Sequence, residues 1–330
     1  MTTIGRGRAP RLVSPRLLLG CLLSFCALGN GCRAEPQKAE PAAPSGAGQA
    51  ALKTDARPPE NTGGFDGSRT YAHVERLVAI GPRWPESDGI RRAEEYLRSQ
   101  LRSFGCPVAE DDFHASTPMG SVAMKNILVK IPGASSSVVL LATHYDTKRL
   151  ENFVGANDGG SSTGVMLELA RLLCGRKNKL TIWIAFFDGE EAFGEWSATD
   201  GTYGSRQMAA KLAASGELKR VKAVLLADLV GDRDLKIKRE SNSTRWLTDL
   251  VWSAAARLGY QNIFVAEETL IEDDHLPFLH RNVPATDIID LEEPYWHTAG
   301  DTLDKISPRS LAIVGHVFLE SVSELEKRLR

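Results

Sequence analysis

The chain has 330 residues, 42% hydrophobic and 25% charged, with 29 Gly and 16 Pro, which is the composition of a globular protein rather than a disordered or collagenous one. Forty basic against 42 acidic side chains leave a net charge of -2, so electrostatics give no reason to expect nucleic acid or an anionic membrane surface as partner. The length suffices for one α/β domain with an ample core, so any metal is expected to serve catalysis rather than folding.

Arg6, Arg8, Arg11 and Arg16 precede an uncharged run over 17–28, too short to span a bilayer and suited to the apolar part of a signal peptide. Leu28-Gly29-Asn30-Gly31-Cys32 follows, a small-residue approach to a cysteine that is similar to a bacterial lipoprotein cleavage site, although Leu28 stands four residues before the cysteine rather than three. Residues 1–31 are therefore expected to be removed on export, with Cys32 lipidated and simple secretion as the alternative. The destination is the periplasm or cell envelope, and the membrane is met only through that anchor. Losing four arginines leaves 36 basic against 42 acidic residues, a net charge of -6. Residues 32–62 are rich in Ala and Pro with few large apolar side chains, and read as a disordered tether. The mature body keeps only Cys106 and Cys174, read as two buried thiols, with a disulfide as the alternative.

Residues 63–330 read as one catalytic α/β domain. Helices are expected over 69–80 and 88–104, the second with Ile90, Ala93, Leu97 and Leu101 at helical spacing. Strands over 107–115 and 122–131 form a hairpin at a sheet edge, the second ending at the turn dipeptide Pro132-Gly133. Short apolar runs at 138–142, 180–187, 221–227 and 285–289 have the pattern of strands buried on both faces. Helices over 164–173, 204–214 and 245–258 separate them, and Leu311, Val314, Phe318, Val322, Leu325 and Leu329 mark a closing amphipathic helix. The alternation implies a mixed, mostly parallel central sheet with helices on both faces.

Ligands of open α/β sheets bind beyond the carboxyl ends of the strands. There stand His144-Tyr145-Asp146, Asp188-Gly189-Glu190-Glu191, Asp228 and Trp296-His297, with Asp158 in the glycine-rich connection 155–160. Two imidazoles and at least five carboxylates crowd one edge, and such crowding is costly unless some of them bind a cation. Asp158, Glu191 and His297 fit the three-ligand set of a catalytic zinc, and Glu190 beside it suits a general base and acid. His144 is either a ligand of a second metal or a structural hydrogen-bonding group. His73, His114, His280 and His316 read as surface or packing residues. Gly160-Ser161-Ser162-Thr163-Gly164 matches a serine-hydrolase nucleophile pattern, but a long loop separates it from the preceding strand and the serines stand where a helix N-cap belongs.

At this point the residues resemble the animal-type glutaminyl-peptide cyclotransferases, zinc enzymes on the zinc-dependent aminopeptidase fold. The likeness runs from about Ser68 to the C-terminus. It rests on His144-Tyr145-Asp146-Thr147-Lys148, Phe153-Val154-Gly155-Ala156-Asn157-Asp158, Met166-Leu167-Glu168, Phe186-Phe187-Asp188-Gly189-Glu190-Glu191-Ala192-Phe193, Trp196-Ser197, Asp200, Tyr203-Gly204-Ser205-Arg206, Asp228-Leu229-Val230-Gly231, Glu272-Asp273-Asp274-His275-Leu276-Pro277-Phe278 and Trp296-His297-Thr298. The Trp196 segment, Asp273-Asp274-His275 and Trp296-His297 favour the cyclase branch over the aminopeptidases.

The resemblance implies one zinc per chain, held by Asp158, Glu191 and His297, with Glu190 as proton shuttle. It implies an acidic network of Asp228 and Asp273 beside Glu190, and a substrate pocket walled by Trp196 and Trp296. The implied substrate is a peptide or protein with N-terminal glutamine, converted to pyroglutamate with release of ammonia by a monomer, with broad tolerance beyond the first residue. The rival is an exported two-zinc aminopeptidase, in which His144 and Asp228 hold a second metal. Two departures stand out: Asp287 occupies the place of an active-site histidine of the animal enzymes, and Thr143 and Thr163 occupy those of a disulfide pair.

Overall fold

The computed structural model describes residues 58–329; the expected leader, Cys32 and the tether up to residue 57 lie outside the described residues. The folded part opens with a 3-10 turn at Pro59–Asn61, and Thr62 is already buried. Helix α1 (Gly67–Ile80) starts on the Asp66 carboxylate, which accepts from Ser68 N at 2.9 Å and Arg69 N at 3.1 Å, and α2 (Asp88–Ser103) starts on Ser87, whose hydroxyl accepts from Ile90 N at 3.0 Å. These caps satisfy N–H groups that the first helical turn leaves without partners.

The chain then forms β1 (Val108–Thr117), β2 (Gly120–Ile131), β3 (Ser135–His144), α3 (Gly160–Cys174), β4 (Leu180–Phe187), α4 (Tyr203–Ser215) and β5 (Val221–Asp228). After β5 come β6 (Ile237–Glu240), α5 (Arg245–Arg257), β7 (Phe264–Thr269), α6 (Leu276–Leu279), β8 (Ala285–Ile289) and α7 (Pro308–Arg328). Six strands make the central sheet in the order β1-β2-β4-β3-β5-β8. The hairpin β1–β2 joins β4 antiparallel, whereas β4, β3, β5 and β8 run parallel.

The uninterrupted apolar runs are explained by the two faces. Val139 and Leu141 of β3 point into the large core under α1, α3, α5 and α7, while Val138, Leu140 and Ala142 point into a second core closed by Met208, Ala209 and Leu212 of α4 and Phe278 of α6. A strand buried on both sides needs apolar residues at every position, and all eight residues of β4 are buried. The pair β6–β7 forms a separate two-stranded parallel sheet that the sequence pattern does not announce.

Two expectations are corrected here. Cys106 and Cys174 are joined in a disulfide, with Cα atoms 5.4 Å apart, rather than standing as two thiols. Burial favours either state, and a separation of 68 residues hid the contact between the segment that leads into β1 and the last residue of α3. The serines of 160–164 do not cap α3, because the cap is Gly159 at φ +71° and the helix starts at Gly160. A Cβ on Gly159 would lie 2.6 Å from Asp146 O and 3.0 Å from His144 Cε1, so no side-chain cap fits there. Ser161 Oγ instead donates to Asn157 O at 2.6 Å and accepts from Val230 N, and neither serine is poised as a nucleophile.

Candidate active site

The carboxyl ends of the parallel strands and the connections beyond them gather the metal-ligand candidates at one edge of the sheet. His144 ends β3, and its Nε2 lies 3.0 Å from Asp228 Oδ1 at the end of β5 and 3.3 Å from Asp158 Oδ1. Its Nδ1 lies 3.4 Å from Asp146 Oδ1. The Asp146 carboxylate also accepts from Glu190 N at 3.2 Å and Glu191 N at 3.4 Å, which fixes the turn that follows β4. His297 Nε2 lies 3.3 Å from Asp158 Oδ2 and 3.1 Å from Glu191 Oε2, in a turn where His297 itself has φ +52°. Glu191 Oε1 accepts from Lys148 N at 2.9 Å.

Two groups of three donors result, each with ligand atoms within 4.8 Å of one another: Asp158, Glu191 and His297, and His144, Asp158 and Asp228. Asp158 belongs to both. Its Oδ2 is buried and faces only His297 Nε2, at 3.3 Å and without a well-formed hydrogen bond, although an ionised oxygen sealed from water demands compensation. That orphaned atom beside an imidazole and a second carboxylate fits a divalent zinc ion.

Electrostatics follow from the crowding. Burial opposes the charged form of His144, but Asp228, Asp146 and Asp158 outweigh it and hold the imidazole well above its usual range. Burial likewise opposes the His297 cation, yet Asp158 and Glu191 push it up to about 9. Burial raises Glu190 well above the carboxylate range; Glu191, Asp273 and Asp274 add to this and His144 offsets it. Burial, together with Asp228 and Asp274, raises Asp273 in the same way.

The cavity measures about 520 Å³ and runs from these acids past Ile271, Ile289 and Leu291 to an aromatic mouth. Trp196 and Trp296 at that mouth are 39% and 43% exposed, unusual for indoles. Trp296 stacks on His297 with centroids 4.1 Å apart. Trp196 Nε1 donates to Glu272 Oε2 at 3.3 Å, and its ring packs over Gly201, where a Cβ would approach to 2.8 Å. The loop that carries Trp196 is pinned by the buried Asp200 carboxylate, which accepts from Phe193 N at 2.9 Å, Gly194 N at 2.8 Å and the Tyr203 hydroxyl at 2.8 Å.

Of the site residues expected from the sequence and lying among the described residues, Asp158, Glu190, Glu191, Trp196, Asp228, Asp273, Trp296 and His297 line this cavity, whereas His144 is buried behind it against Asp158 and Asp228. Asp287 sits fully buried one layer behind, its carboxylate oxygens without hydrogen-bond donors and His275 Nδ1 at 3.8 Å. Thr143 and Thr163 are tied by hydroxyls: Thr143 donates to Ser162 Oγ at 2.7 Å and Thr163 to His144 O at 2.8 Å. Sequence reasoning gave no role to His275, which pairs with the buried Glu240 at 3.1 Å, nor to Arg83 or Asp301. His275 had a signal, its place in the Asp273-Asp274-His275 run, whereas Arg83 and Asp301 had none because their partners are backbone groups.

Comparison with known proteins agrees with this geometry. Residues 126–322 match peptidase family M28. A glutaminyl-peptide cyclotransferase of Drosophila melanogaster is 31% identical over 256 residues, covering 68% of this chain and 72% of that protein. The crystal structure of an Acidobacteriales bacterium glutaminyl cyclase is 43% identical and superposes with a TM-score of 0.77, covering 80% of this chain and 96% of that one. A Zn-dependent exopeptidase from Parabacteroides distasonis, 28% identical, gives a TM-score of 0.71 over 78% of this chain and 98% of its own. The chain therefore belongs to peptidase family M28 and, within it, to the glutaminyl-peptide cyclotransferases.

Proposed function

We propose that the protein converts the N-terminal glutamine of peptides to pyroglutamate with release of ammonia. The observation that carries this reading is Glu190, a buried carboxyl with raised proton affinity, in one cavity with a three-donor metal cluster and two half-exposed indoles. Asp158, Glu191 and His297 would hold a single zinc ion, which supplies Lewis-acid polarisation of the substrate's γ-carboxamide. Trp196 and Trp296 flank the glutamine side chain and exclude water from it. The substrate's α-amine forms the new C–N bond to the γ-carbonyl carbon while the bond to the amide nitrogen breaks. Glu190 takes the proton from the attacking amine and returns it to the departing nitrogen, so no net proton is consumed. Asp228 and Asp273 line the same cavity, and Asp273, with Glu191 and Asp274, adds to the burial that keeps Glu190 able to carry that proton. The nucleophile is tethered to its electrophile, so orientation supplies much of the rate.

A second reading, an exported two-zinc aminopeptidase, is favoured by the His144, Asp158 and Asp228 cluster. The deciding experiment assays one sample for ammonia release from a glutaminyl dipeptide, for hydrolysis of a leucyl arylamide and for bound metal. Ammonia without arylamide hydrolysis at one zinc per chain supports the cyclase; arylamide hydrolysis at two zincs per chain overturns it. Export of a lipid-anchored monomer to the periplasm or cell envelope is part of the same proposal, supported by the leader pattern and by the disulfide, which forms in oxidising compartments.

A further inference from the structure

The loop that brings Asp158 to the metal cluster has few side chains of its own to hold it, since it runs Val154-Gly155-Ala156-Asn157 before the aspartate. Its backbone polar groups are divided between two buried, oppositely charged side chains. Arg83 is fully buried and its guanidinium donates only to carbonyls: Val154 O at 2.6 Å, Gly155 O at 2.9 Å, Tyr145 O at 3.2 Å, and Gly81 O and Leu77 O at 3.3 and 3.4 Å. Its own N–H donates to Thr147 Oγ1 at 2.8 Å. Among the described residues no ion pair is formed with it: Asp301, Asp146 and Asp158 act on its charge only from beyond contact, and all its guanidinium hydrogen bonds go to backbone carbonyls, those of this loop among them. From the other side the fully buried Asp301 carboxylate accepts from Asn157 N at 2.7 Å and Asp158 N at 3.0 Å, and Asp301 O accepts from Ala156 N at 3.4 Å. Asp301 also stands four residues beyond His297, on the same turn. Gly155, at φ +54°, is what lets the two sides close: a Cβ there would meet Asp158 O at 2.4 Å and Arg83 Nη2 at 3.1 Å.

We infer that Arg83 and Asp301 are positioning residues of the metal site, a two-sided backbone clamp that presets Asp158 and couples its loop to the His297 turn. Neither touches substrate or metal. The inference rests on Asp158 being a zinc ligand, as proposed above. An ammonium at 83 keeps the charge but cannot bridge both loops, and an amide at 301 sets an N–H against one of the two backbone N–H groups. Partners that orient a ligand rather than bind the metal are worth about 10- to 100-fold in metal affinity.

The test measures the zinc dissociation constant of the full chain by competition with a chelator, for wild type, Arg83→Lys, Asp301→Asn and the double variant, beside urea unfolding of each zinc-free protein. Each single variant is expected to weaken zinc about 10- to 100-fold. The double variant should lose less than the product of the two, because a loop freed on one side has little left to lose on the other. Saturating zinc should restore wild-type kcat. A purely structural role lowers the zinc-free stability and leaves the zinc affinity of the folded protein within twofold of wild type, and that result in either folded variant overturns the clamp. If one variant fails to fold, the other decides. Asp158→Asn is the control: zinc bound as tightly by that variant removes Asp158 from the ligand set, a failure distinct from that of the clamp.

Discussion

His73 carries a stability switch that can be calculated from its surroundings. It sits on α1 against α2, its Nδ1 2.7 Å from the Tyr96 hydroxyl and its ring edge-on to Phe104, while Nε2 is buried without a partner. Burial, and then the nearby cations Arg69 and Arg171, push this histidine down to about 4 from its usual 6.5. A folded-state value below the unfolded one means that the unfolded chain takes up the proton first as the pH falls. The stability from a neutral His73 is therefore complete above about pH 6.5 and lost progressively towards pH 4. The full span is worth about 3 kcal/mol, of which roughly 2.5 kcal/mol is gone at about pH 4.5. The replacement His73→Phe keeps a ring beside Phe104 and leaves the half-buried Tyr96 hydroxyl to water. Urea unfolding of the zinc-free protein, followed by tryptophan fluorescence at about pH 7 and pH 4.5, gives the loss for each. Wild type should lose roughly 2.5 kcal/mol more than His73→Phe between the two conditions. Equal losses would refute the argument, because they would mean that the imidazole is protonated as readily in the fold as outside it.

The remaining expectations concern the site and its supports. Glu190→Gln should lower kcat for ammonia release by about 100- to 10,000-fold while zinc stays bound, whereas His297→Ala should lose the metal itself; kinetics and metal counting on the same preparations separate the two. Closing a 68-residue loop, the Cys106–Cys174 disulfide should contribute about 4 kcal/mol, read as a drop in urea stability for the double Cys→Ser variant, and an unchanged midpoint would show that the reduced chain is already restrained. Asp200→Ala leaves two backbone N–H groups and the Tyr203 hydroxyl without their acceptor, at about 1–3 kcal/mol each where they stay buried. Because the loop it frees carries Trp196, KM for a glutaminyl dipeptide should rise by roughly tenfold with kcat little changed.

What could be read in advance divides along physical lines. The buried parallel strands β3, β4, β5 and β8 were legible because burial on two faces leaves an unbroken apolar run, and their ends located His144, Glu190, Glu191 and Asp228. The pair β6–β7 was not, since Ile237–Glu240 and Phe264–Thr269 are short, charged and buried only in part, which a turn-rich loop would equally show. The candidate ligands announced themselves as side chains, and the residues proposed to aim them did not. Arg83 binds carbonyls and Asp301 binds N–H groups, partners that every residue offers and no sequence marks. The disulfide escaped for a related reason, because two cysteines so far apart reveal their pairing only once α3 is packed on the sheet.

The three donors of the Asp158, Glu191 and His297 cluster come from segments that meet only when the sheet is complete. A zinc ion held by all three would therefore be acquired only after these segments have come together. A polypeptide that crosses a membrane unfolded would arrive without it and draw it from the far side. There the ion binds the folded chain alone, and occupancy at about 100 times its dissociation constant adds about 2.7 kcal/mol by mass action. The melting temperature of this protein should thus report the free zinc around it, and a thermal shift becomes a gauge of the metal supply in whatever compartment the protein inhabits.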